Sequence, residues 1–84
     1  MDFYVGQIVK AKAGRDKDKF FVIKELDGAY AYITDGRSRK VDAPKRKKLV
    51  HLCPTKKTAQ RFETNREVKQ SLAELLFGSE ENDC

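Results

Sequence analysis

The chain has 84 residues and a mass of 9.6 kDa, below the ~100–200 residues typical of a domain, which leaves room for one module and excludes a large enzyme with its own substrate domain. Hydrophobic residues make up 39% and charged residues 37%, with a net charge of +5 and no Trp, so any core is small and a polyanionic partner is favoured. No stretch approaches the ~20 apolar residues of a membrane span, and Asp2 stands where a signal peptide would carry positive charge, so a soluble, unprocessed, cytoplasmic protein is expected.

In chain order, Ile8 to Ala13 alternates Val9, Ala11 and Ala13 against Ile8, Lys10 and Lys12, and Phe20 to Leu26 is rich in aromatic and β-branched residues. These read as the first two strands. Gly14 to Lys19 between them fits no helix period and reads as a projecting polar loop. Asp27-Gly28 and Asp35-Gly36 are hairpin-turn dipeptides that bracket the strand-like Tyr30 to Thr34, which predicts a three-strand meander. Arg39 to Asp42 forms a fourth short strand ended by Pro44, and Lys48 to Cys53 a fifth. Five short strands with tight turns imply a mainly β fold, a five-stranded SH3-like barrel over residues 1–54 whose closure removes exposed edges.

Past Pro54 the pattern changes. After a linker over 55–63, Val68, Leu72, Leu75 and Leu76 fall at i, i+4, i+7 and i+8, the stripe of an amphipathic helix. Thr64 and Glu67 form a capping box at its start and Gly78 suits a C′ position. The domain expectation is a helix over 64–78 packed on the barrel, followed by a disordered acidic tail over 79–84.

Charge is distributed unevenly. Residues 37–61 hold ten Lys or Arg against Asp42 alone, whereas residues 1–36 balance and residues 62–84 are net acidic. Such density in a chain of pI 9.3 points to nucleic acid. The candidate contacts are Arg15, Lys17 and Lys19 in the first loop, Arg37, Arg39 and Lys40 after the Asp35-Gly36 turn, and Lys45, Arg46, Lys47 and Lys48 behind Pro44. If the sheet rolls, these loops gather into one cradle. Arg presents planar forks to phosphates and guanine edges, and Lys a point charge. Because an A-form major groove excludes side chains, the cradle would use phosphates, 2′-hydroxyls and unstacked bases.

Other chemistries find less support. There is one His, no Gly-rich phosphate loop and no Ser/His/Asp set at workable spacing, so no enzyme is expected. His51 and Cys53 would share a strand face, but a structural zinc site needs four ligands, so neither metal nor cofactor is expected. His51 is read instead as a phosphate donor or a half-buried strand residue, and Cys53 and Cys84 as reduced thiols. Phe20, Phe21, Tyr30 and Tyr32 are candidates for base stacking, in competition with core packing.

The segment Gly6 to Lys17 (GQIVKAKAGRDK), with Tyr30 to Gly36, Arg39-Lys40 and Pro44 to Lys48, resembles the KOW-domain RNA-binding proteins. Within them it is most similar to the short bacterial relatives of the fourteen-e large-subunit ribosomal proteins. The resemblance covers roughly residues 4–55, and Thr64 to Leu72 resembles the helical tail of the same group. It implies an SH3-like barrel whose loops bind ribosomal or other structured RNA, with Gly14, Arg15, Asp16 and Lys17 on the family's AGRDK segment. Asp18 departs from it, standing where the family usually has Gly. The expected partners are RNA and the ribosome, with no membrane and no small-molecule substrate. Two other classes stay open: an SH3-like protein-interaction module acting on a ribosome or transcription factor, which would show exposed aromatic residues, and a methyl-lysine reader, which would need an aromatic cage.

Overall fold

The structure, a computed structural model, describes residues 3–77, with side chains through Glu74. Its strands are β1 (Gln7–Ala11), β2 (Phe20–Asp27), β3 (Tyr30–Thr34), β4 (Lys45–Lys48) and β5 (Leu52–Thr58), followed by the helix α1 (Asn65–Phe77). All neighbours pair antiparallel in the order β4-β3-β2-β1-β5. The meander follows from the turns: Gly28, between β2 and β3, takes the positive φ that a two-residue hairpin connection demands. The fold is mainly β with one C-terminal helix, as expected, but the sheet is not closed. β4 and β5 are its edges, and both carry lysines, which discourage pairing with another chain.

The second half of the sheet departs from the sequence pattern. Arg39 to Asp42 is not a strand, because Asp35 captures the chain first: its Oδ1 accepts the N–H groups of Arg37 (2.8 Å) and Arg39 (2.9 Å) and folds the segment into turns. The fourth strand is Lys45–Lys48, so Pro44 precedes a strand instead of ending one. A 3₁₀ turn, Leu49–His51, interrupts the segment expected to be the fifth strand. β5 therefore starts at Leu52 and runs to Thr58, four residues into the stretch that reads as a linker.

Two apolar clusters occupy opposite faces of the central strands. Val9 and Ala11 of β1 meet Phe21 and Ile23 of β2, Ala31 and Ile33 of β3, and Leu52 on one face, all essentially inaccessible. Ile8 and Val22 point the other way and meet Ala59 and Val68 of α1, with Phe20, Val41, Phe62 and Leu72 at the margin. The period-2 alternation of β1 thus feeds both clusters, since successive side chains leave a strand on opposite faces.

The helix begins as its sequence dictates. The Glu67 N–H donates to Thr64 Oγ1 (3.1 Å), and Glu67 Oε1 accepts the N–H groups of Thr64 (3.2 Å) and Glu63 (3.1 Å), a complete capping box. Val68 carries the stripe into the core. The side chains of Leu75 and Leu76, Gly78 and the tail over 79–84 lie outside the described residues. Cys53 is disulfide-bonded instead of a reduced thiol, and Cys84 lies outside the described residues. No described helix is long and apolar enough to cross a membrane.

Candidate nucleic-acid interface

The loop between β1 and β2, residues 12–19, is built on its own backbone. The Ala11 N–H donates to the Lys19 carbonyl (2.9 Å) and the Asp18 N–H to the Ala11 carbonyl (2.7 Å), closing the base, while Lys17 and Lys19 donate back to Gly14 and Asp16 across turns. Asp18 sits at φ 72°, the one positive φ outside glycine among the described residues. Asp tolerates this left-handed conformation better than most side chains. Its carboxylate stands 3.7 Å from Lys10.

Long-range bonds dock this loop against the β3–β4 connection, residues 35–44. Asp16 is buried and accepts from Arg39 Nη2 at 3.0 Å. Lys47 Nζ donates to the Ala13 carbonyl at 3.0 Å, beside Gly14. At the loop's base the Lys12 N–H donates to the His51 carbonyl (3.0 Å), which brings the 3₁₀ turn alongside. The Arg39 carbonyl accepts from Thr34 Oγ1 and from the N–H groups of Asp35 (2.9 Å) and Gly36 (3.1 Å), which fixes where its side chain begins.

These contacts sort the expected site residues into two groups. Asp16, Arg39 and Lys47 serve the architecture: a buried carboxylate, its half-buried guanidinium and a half-buried ammonium hold the loops together. Gly14, Arg15, Lys17, Lys19, Arg37 and Lys40 are exposed around them. His51 is exposed on the 3₁₀ turn, where it is neither half-buried nor in a strand with Cys53.

The Lys45 to Lys48 run does not act as one patch. Register pairs Lys47 with Ala31 and Lys45 with Ile33, which places both on the core side of the sheet. Both are half-buried, their stems covering apolar surface. Arg46 and Lys48 pair with Tyr32 and Tyr30 on the other face, where Glu25 and Asp27 of β2 continue the row. The Arg46 guanidinium lies 3.8 Å from the centroid of the Tyr30 ring, a cation–π contact that covers a face a base would otherwise use. Phe21 is wholly in the core.

Sequence reasoning missed the contribution of α1. Asn65 Oδ1 accepts the Val41 N–H (2.8 Å). Gly36 packs so close that a Cβ there would stand 2.5 Å from the Asn65 carbonyl oxygen and 2.9 Å from Lys69 Cγ. The helix therefore sets Lys69 beside the Asp35-Gly36 turn, with Leu72 on the same groove. The i, i+3 spacing of Lys69 and Leu72 shows only that they share a helix face, not what that face meets.

No group of three or more His, Cys, Asp or Glu among the described residues could hold a metal ion. No protein-family model matches the chain, and no curated protein matches it.

Proposed function

We propose that this chain is a non-enzymatic RNA-binding protein of KOW type that recognises structured RNA, ribosomal RNA being the first candidate, through the basic loops 12–19 and 35–44. One observation carries the reading: of the four acids in these loops Asp16, Asp18 and Asp35 have partners within the protein and only Asp42 is exposed without one among the described residues, whereas of the bases only Arg39 is paired with a carboxylate. Asp16 is bonded to Arg39, Asp35 accepts from two backbone N–H groups and the Ser38 hydroxyl, and Asp18, though exposed, stands 3.7 Å from Lys10. Among the described residues, Arg15, Lys17, Lys19, Arg37 and Lys40 have no carboxylate within salt-bridge distance and are exposed. Two loops that each carry an excess of Lys and Arg over Asp thus present a cationic surface on a fixed scaffold, which suits a phosphate backbone whose shape is to be recognised. The resemblance to KOW-domain proteins supports the same reading, and an RNA partner of this kind puts the protein in the cytoplasm. Thiols there are kept reduced whereas Cys53 is disulfide-bonded in this structure, so free-thiol titration of protein isolated without reductant tests the compartment: a reactive Cys53 supports the cytoplasm and a blocked one argues against it.

The test is a salt titration with a structured RNA hairpin. Each neutralised phosphate contributes roughly 0.7–0.9 to the slope of log affinity against log salt, so Arg15→Ala/Lys17→Ala/Lys40→Ala should flatten it by roughly 2–3. An unchanged slope and affinity would give the protein-interaction module precedence.

A further inference from the structure

We infer that the groove between the two basic loops and α1 holds a single unpaired nucleotide of the bound RNA; this rests on the RNA-binding reading and adds to it a site and a ligand. The groove has a volume of about 310 Å³, at the small end of the ~300–1,000 Å³ of small-molecule pockets. Half-buried Phe20 and Leu72 supply its apolar surface, with Lys10 Nζ 5.9 Å from the Phe20 ring centroid, farther than the 3.8 Å of Arg46 over Tyr30, and Lys19, Arg37 and Lys69 stand around them. Among the described residues none of these three cations pairs with a carboxylate. The two acids on the groove, Asp18 and Asp35, are the ones already engaged by Lys10 and by the backbone of their own loop.

This combination selects among ligands. A lone phosphate would need the cations but not an aromatic ring and a leucine; an apolar peptide side chain would need the apolar surface but not three unpaired cations. A nucleotide uses both, its base against Phe20 and Leu72 and its phosphates against Lys19, Arg37 and Lys69, in keeping with how proteins hold splayed-out bases. A base inside a duplex stack cannot enter, so the groove would favour a bulge or loop. The close packing of Gly36 on α1 holds its two sides in fixed relation before RNA arrives.

The experiment compares two hairpins identical except for one bulged 5-iodouridine, by affinity and by photocrosslinking with peptide mapping. The intact protein should bind the bulged hairpin about fivefold or more tightly than the paired one, the lower end of what base–aromatic stacking supplies, and the crosslink should map to Phe20 or Leu72. Lys69→Ala should weaken binding to the bulged hairpin more than to the paired one and so remove most of that preference. Equal binding of both hairpins by the intact protein, or a crosslink at Tyr30 or Tyr32, overturns the inference while the RNA-binding reading stands. Failure to bind either hairpin overturns both.

Discussion

At the scale of single residues, the loops turn on Asp16 and Gly36. Asp16 has a side chain 7% exposed and is the buried anchor between two segments that share no secondary structure. Asp16→Ala should therefore cost about 1–3 kcal/mol, the range for losing a hydrogen bond to a charged group at a partly buried site. Urea denaturation reads this directly, and a loss below the error of the method would mean that the loops are held by other contacts. Gly36 combines a φ of +77° with a backbone oxygen 2.5 Å from the position of a Cβ, whereas Gly28 has a φ of +60° and open space. Gly28→Ala should cost only the left-handed penalty of about 1–2 kcal/mol. Gly36→Ala should cost more, because the Asn65 carbonyl must also move; equal melting shifts for the two variants would contradict the close docking of the loop on α1.

At the scale of elements, the capping box and β4 behave in opposite ways. Thr64 and Glu67 satisfy the helix start with partners three residues apart, so the motif is complete wherever the helix lies. Thr64→Ala should weaken α1 by about 0.5–2 kcal/mol, seen as a lower thermal midpoint with the strand signal lost in the same transition, because Val68 ties the helix to Ile8 and Val22. A β4 of four consecutive basic residues has little intrinsic reason to be a strand. It forms because β3 offers an open edge and because alternate residues find separate uses: Lys47 at the Ala13 carbonyl and Arg46 on Tyr30.

At the scale of the whole molecule, an open sheet with two edges should be uneven in its local stability. β1 and β2 lie inside the sheet with an apolar cluster on each face, whereas β4 pairs on one side only. Amide hydrogen exchange followed by mass spectrometry should show the slowest exchange in β1 and β2 and much faster exchange in β4, since local opening follows buried apolar contact and edge exposure. Uniform protection from β1 through β4 would indicate a closed barrel. The basic loops emanate from this graded sheet, with Asp16–Arg39 and Lys47–Ala13 fastening the less protected edge to the central strands.

What the sequence determined by itself is what local chemistry controls. Asp27-Gly28 and Asp35-Gly36 mark turns because their backbone needs are met within a few residues, and Phe20 to Leu26, Tyr30 to Thr34 and the Thr64–Glu67 helix start are legible for the same reason. The boundaries after Gly36 were not legible, because Asp35 and Arg39 can satisfy the chain as a turn as readily as a sheet can as a strand. Only the tertiary structure decided which charges remain unpaired: Asp16 and Arg39 are 23 residues apart, and no spacing rule brings them together. It also decided that Lys45 and Lys47 face away from Arg46 and Lys48, and that Lys69 joins the loops. Strand register and helix docking are set by burial and packing across the whole chain, and the same run of lysines could be one patch or two until that packing is fixed.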